Sequence, residues 1–206
     1  GHATIALGAA LARKFGDAVF GLLLTNNSVI SVEGKREAEL YAAALQSPPT
    51  RSSPATPAEI SDALQLFGLS FQDLDPKFPS ARIHAGADHL VLMLRSRQAL
   101  SSMDYNFEAG RELMIKNGWV TILLCYAETP RKFFARNAFA YGGGYEDPAT
   151  GAAAAAPGGY LRDIKWPHEG SIEIFQGYDI GCPCRLHAEI TPDCDGYARV
   201  AGSSLL

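Results

Sequence analysis

The stretch from Gly142 to Arg162, GGGYEDPATGAAAAAPGGYLR, restricts what this chain can fold into more than any other. Three glycines free the backbone to turn, and two acids, Glu146 and Asp147, then precede Pro148 and an alanine run. Asp before Pro is a helix-start pattern. The carboxylate can accept from unpaired N–H groups, and proline's fixed φ suits the first helical position. The pattern predicts a helix over Pro148 to Ala156 with almost no polar face, and a helix apolar on all sides is normally buried. Its electropositive end, opening from a glycine-rich loop, attracts anions. On the residues alone, Asp147 could equally be a cap and nothing more. Pro157 predicts an early end or kink.

A second segment of the same kind, Ala3 to Phe15 (ATIALGAALARKF), is apolar nearly all round until Arg13 and Lys14, which suit a helix C-terminus ahead of Gly16. Set beside the later helix, Ala3-Thr4 falls on Ala149-Thr150, and Ala6, Ala9 and Ala10 fall on Ala152, Ala155 and Ala156, a hint of duplication. The chain opens at Gly1-His2, already inside a helix start, so residues upstream are expected to be missing.

Three short strands are predicted next, about Val19 to Leu24, Ser28 to Glu33 and Lys35 to Ala44, with turn chemistry at Asn26-Asn27 and Glu33-Gly34. Ser47 to Pro57 (SPPTRSSPATP) reads as a linker without a regular element, dividing the chain into 1–50 and 51–206. Beyond it come an amphipathic helix from Pro57 to Phe67, a strand from His89 to Arg95 and a helix near Phe107 to Lys116. Val120 to Tyr126 (VTILLCY) is an unbroken apolar run of strand length, hence central, and Phe133 to Phe139 is another strand. Further strands lie near Ser171 to Phe175, Arg185 to Ile190 and Tyr197 to Ala201. Strands and helices mix without a βαβ rhythm, which points to an α+β architecture.

Composition excludes some classes. A formal charge of −4 over 206 residues supplies no basic footprint, so no nucleic acid partner is expected. No apolar run approaches the ~20 residues that span a bilayer, so no membrane partner is expected either. Four cysteines do not make a disulfide scaffold in a chain this long, and a reducing cytoplasm is the expected compartment. Cys182, Cys184, His187 and Cys194 could form a soft-metal site, with Cys182 and Cys184 on one strand face. They lack the C-x-x-C knuckle, and no metal is expected. Gly142 to Gly144 is no phosphate loop, because no Lys-Ser/Thr pair follows. Tyr145, Phe139 and Tyr160 read as core or cleft wall.

GHAT at Gly1 to Thr4 and EDPATGAA at Glu146 to Ala153 together resemble the phenazine-biosynthesis (PhzF-like) family, whose wider relatives are diaminopimelate epimerase and proline racemase. FFARNAF before the acidic motif, then FQGYDIGCPCRLHAEI and GYARVAGSS after it, agree in order, so the resemblance runs over essentially the whole chain. It implies an α+β fold of the diaminopimelate epimerase kind. Two similar lobes, each a mixed sheet around a central helix, enclose a cleft where both helix N-termini point, and the last strand is able to return to the first lobe. It also implies a cofactor-independent isomerase or epimerase moving a proton on a small carboxylate or amino-acid-like substrate, and a homodimer. By match to the family's motifs, His2 and Asp147 would be catalytic and face each other across the cleft, and Gly1, Thr150, Gly151 and Ala152 would contact substrate. The chemistry follows from below: two helix N-termini can stabilise the developing charge, and an acid and an imidazole with separated pKa values can pass the proton.

The sequence departs from the family at Ala152, where the usual pattern has serine, and in lacking the part before GHAT that carries a catalytic glutamate. Alone, the chain would leave the first apolar helix uncovered, so an upstream polypeptide is expected to complete that lobe, and the isolated chain is expected to be inactive and poorly soluble. A non-catalytic binding or oligomerisation module on the same fold is the alternative that Ala152 favours.

Overall fold

The computed structural model describes residues 2–23, 29–37, 40–192 and 196–204, and the side chains of 3–22, 30–36, 41–192 and 196–202. In order these form α1 (His2–Phe15), β1 (Ala18–Leu23), β2 (Val29–Glu37), β3 (Leu40–Gln46), β4 (Arg51–Pro54), α2 (Pro57–Leu66), β5 (Ala81–His84), β6 (Asp88–Leu94), α3 (Arg97–Ser101), α4 (Phe107–Asn117), β7 (Thr121–Ala127), β8 (Lys132–Ala138), α5 (Gly151–Asp163), β9 (Ser171–Gln176), β10 (Cys184–Ile190) and β11 (Ala198–Ser204). The architecture is α+β, as expected.

Among the described residues, eleven strands make one sheet in the order β1-β2-β3-β11-β10-β9-β8-β7-β6-β5-β4. Its pairs are antiparallel except β6–β7 and β8–β9. From β11 to β4 the sheet curls around α5. Ala153 to Ala156, Tyr160 and Leu161 share one buried cluster with Val91 and Met93 of β6, Leu123 and Cys125 of β7, Ile172 and Ile174 of β9, and Val200 of β11. The curl is closed where the segment before β4 meets the segment before β11: Ser47 N–H donates to Ala198 O at 2.9 Å, and Thr50 N–H to Gly196 O at 3.0 Å. A helix of alanine and glycine is what such a ring can hold, because larger side chains would push the strands apart.

The opposite face of β6 and β7 packs under α2, α3 and α4, through Leu90, Leu92, Leu94, Ile122 and Leu124. Both faces of these strands are therefore buried, which is why VTILLCY has no polar alternation. The covering helices begin on side-chain caps. Thr56 accepts from Glu59 N–H in a full capping box, Ser96 from Ala99 N–H and Asn106 from Ala109 N–H.

The apolar α1 lies across β2, β3 and β11, with Ile5 and Ala9 against Val32 and Ala43. Contact is very close: a Cβ at Gly8 would fall 2.3 Å from Val32 Cγ1, and one at Gly34 would fall 2.5 Å from Gly8 O. Gly34 is thus a helix-crossing point. The turn expected at Glu33-Gly34 does not occur there, and β2 runs straight through it.

Three further expectations are corrected. Ser47 to Pro57 is not featureless: β4 pairs with β5, Arg51 opposite His84 through Pro54 opposite Ala81. Its Ser/Pro composition suits a strand at the end of the sheet, where one row of donors needs no partner. The central helix spans Gly151–Asp163 rather than Pro148 to Ala156. Pro157 lies inside that helix and does not end it, since the surrounding strands bury the proline and the turns beyond it. Neither β5 nor α3 was expected from the sequence, both being short. The turn at Asn26-Asn27 falls outside the described residues.

One buried polar group makes stability pH-dependent. His89 of β6 is fully buried, its Nδ1 2.7 Å from Thr121 Oγ1, and burial pushes its pKa down to about 4 against the opposing pull of Asp88. The unfolded chain takes up a proton below about pH 6.5 while the folded chain does not until about pH 4. The stability this group contributes is therefore complete above pH 6.5 and lost as pH falls towards 4, by about 3 kcal/mol. Urea unfolding at pH 7 and pH 4.5 should reveal the loss, and His89→Gln should flatten that part of the profile.

Candidate active site

Asp147, Thr150, Gly151 and Ala152 converge at the N-terminal end of α5. Thr150 is the cap residue of that helix, and Asp147 stands three residues earlier, not at the cap. Asp147 makes a local turn instead, its Oδ1 accepting from Ala149 N–H at 3.1 Å. Its backbone is held from both sides: its N–H donates to Asn137 O at 3.0 Å, and its carbonyl accepts from Gln176 Nε2 at 2.5 Å. Asn137 Nδ2 also donates to Thr150 Oγ1. Asn137 of β8 and Gln176 of β9 are completely buried, so two strands fix the turn from beneath.

A buried ion pair anchors the approach to this turn. Arg136 Nη2 lies 2.6 Å from Glu146 Oε2 and Nε 3.0 Å from the same oxygen, while Nη1 donates to Ser101 O and Met103 O at 3.0 Å each. The side chains are 7% and 2% exposed. The first acid of the motif is thus structural, and the second is left half-exposed beside the helix end.

In front of the helix lies a cavity of about 330 Å³, bounded by Pro148, Ala149 and Gly151, by Ile5 and Ala6 of α1, by Cys184 and Arg185 of β10 and by Gly202 of β11. That volume is within the range of small-molecule sites. The starts of both alanine-rich helices therefore border one space. His2 is the first residue of α1; its side chain, and the whole of Gly1, lie outside the described residues.

Cys184 opens β10 while Cys182 sits in the turn before it, so the two do not share a strand face as expected. Burial pushes the Cys184 thiol up, with Cys182 and then Asp147 adding to the effect, which keeps it neutral at ordinary pH. Among the described residues, no group of three or more His, Cys, Asp or Glu side chains could hold a metal, and Cys194 falls outside them. No described helix is long and apolar enough to cross a membrane. Tyr160 is core, its hydroxyl donating to Pro79 O at 2.8 Å, and Tyr145 stacks on Tyr105 with ring centroids 4.4 Å apart.

A second hollow, of about 250 Å³, lies by β4 and β5 around Arg51, Arg82, His84 and Asp88. Its charges are matched among themselves, His84 Nδ1 to Asp88 at 2.6 Å and Arg82 to Glu59, so it offers no unopposed charge to a ligand.

Sequence reasoning missed Arg136, Asn137 and Gln176 as parts of the site. A signal was present for the first two: an Arg-Asn pair interrupting the apolar strand FFARNAF must bury its polar atoms, and buried polar atoms find partners.

The N-terminal end of α5 and the start of a second small-residue helix thus border one cavity, whose wall residue Pro148 directly follows Asp147. The chain belongs to the PhzC-PhzF family, described as phenazine biosynthesis-like protein, which matches residues 1–205. It is 30% identical over 159 residues to the trans-2,3-dihydro-3-hydroxyanthranilate isomerase of Pseudomonas aeruginosa, covering 75% of this chain and 52% of that protein. The chain thus spans about half the length of that relative. Among solved structures it superposes on a predicted epimerase of Pseudomonas aeruginosa with a TM-score of 0.82 at 24% identity, covering all of this chain and 71% of the other. A probable proline racemase from Agrobacterium radiobacter superposes with a TM-score of 0.65 at 11% identity, covering all of this chain and 65% of the other. These likenesses establish the fold as that of the PhzF and proline racemase group.

Proposed function

We propose that the protein is a cofactor-independent isomerase or epimerase that moves a proton on a small carboxylate or amino-acid-like substrate held in the cleft between α1 and α5. The observation that carries this reading is the cavity at the first turn of α5, bordered also by α1, whose wall includes Pro148, the residue after Asp147. The isomerase named above supports the reaction class. In this reading the N–H groups of Gly151 and Ala152 bind the substrate carboxylate, with the backbone, not the side chains, of Gly1 and Thr150 assisting. Asp147 and His2 exchange the proton, and the helix ends stabilise the charge that builds beside the carboxylate. Residues 1–50 belong to one lobe and 51–206 to the other, and the working protein is a cytoplasmic homodimer. The outward face of α1, where Leu7 is 45% and Phe15 65% exposed, supports covering of that lobe by further polypeptide.

The test is deuterium wash-in from solvent over a panel of amino acids and cyclic hydroxy acids, using the full-length gene product. Exchange at the carbon beside the carboxylate of at least one compound supports the proposal. Tight binding without exchange supports the other reading, a non-catalytic binding module, which Ala152 in place of the family's serine favours.

A further inference from the structure

We infer that Asn137 is a positioning residue that keeps Thr150 from capping its own helix, so that the first-turn N–H groups of α5 stay available to an anion in the cleft. This rests on the reading of the cleft as a carboxylate site given above.

The other helices with hydroxyl or amide cap residues use them in the ordinary way. Thr56 accepts from Glu59 N–H at 3.3 Å, Ser96 from Ala99 N–H at 3.1 Å and Asn106 from Ala109 N–H at 3.0 Å. Thr150 has the same place and an extended backbone, φ −87° and ψ 98°, yet makes no cap bond. Its oxygen is turned to Asn137 Nδ2, with Gln176 Nε2 a second donor at 3.4 Å. The earliest bond of the helix ladder runs from Ala154 N–H to Thr150 O, leaving the N–H groups of Gly151, Ala152 and Ala153 outside it. Gly151 borders the cavity.

An independent observation points the same way. Asn137 is 0% exposed and its Oδ1 has no hydrogen-bond partner. A buried acceptor left unpaired detracts from stability, so this amide is not explained by stability alone. What the side chain achieves is restraint of the cap residue: its Nδ2 holds Thr150 Oγ1, while the backbone carbonyl of position 137, which any residue would supply, accepts from Asp147 N–H. Gln176 meanwhile grips the Asp147 carbonyl, so removing the Asn137 side chain would free Thr150 without freeing the turn. Released, the hydroxyl can rotate onto Ala153 N–H and compete with the ligand.

The experiment uses the full-length gene product with ¹⁵N-labelled glycine and alanine, titrated with benzoate. In the unaltered protein the Gly151 and Ala152 amides should shift saturably. In Asn137→Ala, Ala153 N–H should move to a hydrogen-bonded position with slowed exchange, and the benzoate dissociation constant should rise about fivefold, the worth of one cap bond. Adding Thr150→Val, which removes the competing oxygen, should return the constant to within about twofold of the starting value, a rescue that a merely structural role would not give. Unchanged affinity in Asn137→Ala, or a double variant that binds no tighter than Asn137→Ala, would overturn the inference. Should Asn137→Ala not fold, the unaltered protein still decides: fast exchange at Ala153 N–H without ligand supports the inference, and protection comparable to Ala99 or Ala109 refutes it. Absence of any benzoate shift at Gly151 and Ala152 would instead count against the carboxylate reading of the cleft, while the exchange rate at Ala153 continues to test Asn137.

Discussion

Asp147→Asn should lower the rate of solvent-proton exchange by about 100- to 10,000-fold, the usual contribution of a positioned acid or base. The substitution is nearly isosteric and retains an oxygen to accept from Ala149 N–H, so the turn that Asn137 and Gln176 hold should survive. The loss should therefore fall on kcat, with KM little altered, because in the proposed reaction the group removed takes the proton and does not grip the carboxylate. Circular dichroism and urea unfolding would establish that the fold is unchanged. A decrease of less than about threefold with intact folding would remove Asp147 from the chemistry, since even a weak general acid or base contributes more.

The second large effect is on stability. Arg136→Met should destabilise the protein by about 3–5 kcal/mol, because it strands a carboxylate that is almost fully enclosed. It also deprives the carbonyls of Ser101 and Met103 of a shared donor. Pairing it with Glu146→Leu should recover most of that loss, as apolar replacements of buried ion pairs often do. The double variant should nonetheless exchange protons more slowly than the parent, since the pair also fixes the approach to Asp147. Urea unfolding of the two single variants and the double variant closes the cycle. A loss below about 1 kcal/mol in Arg136→Met would mean that the pair does not anchor this loop.

Much of this architecture was readable from periodicity and composition. VTILLCY, an unbroken apolar run of strand length, is indeed a strand buried on both faces, and the amphipathic pattern from Pro57 is α2. Small-residue segments announced helices packed closely on strands, α5 enclosed by them and α1 with its outward face exposed. Where the reading failed, tertiary packing outweighed local preference. Pro157 breaks isolated helices, but a ring of strands holds this one through the proline to Asp163. Asp147-Pro148 carries a helix-start pattern, yet the helix begins at Gly151 because Asn137 and Gln176 bind the intervening turn from strands that no local window contains. Glu33-Gly34 has turn chemistry, but its glycine is there to let α1 cross. SPPTRSSPATP looked like a linker because an edge strand tolerates serine and proline that a central one would not.

For the site, the residues alone left Asp147 equally readable as a cap and only the family resemblance gave it a role, whereas its supports were not recognised at all. Arg136 reaches Glu146 from ten residues away and Gln176 reaches Asp147 from twenty-nine, distances over which sequence carries no pairing signal. The contrast between adjacent acids, Glu146 enclosed and structural, Asp147 partly exposed, likewise follows only from which side of the turn the strands occupy.

The most direct measurement is a crystal structure of the full-length gene product with a small cyclic carboxylate bound. The carboxylate is expected within hydrogen-bond distance of the Gly151 and Ala152 N–H groups, with the ring of His2 and the acid of Asp147 on opposite sides of the adjoining carbon. A carboxylate seated elsewhere on the protein, or an imidazole pointing away from the ligand, would contradict the two-helix cleft as the place of reaction.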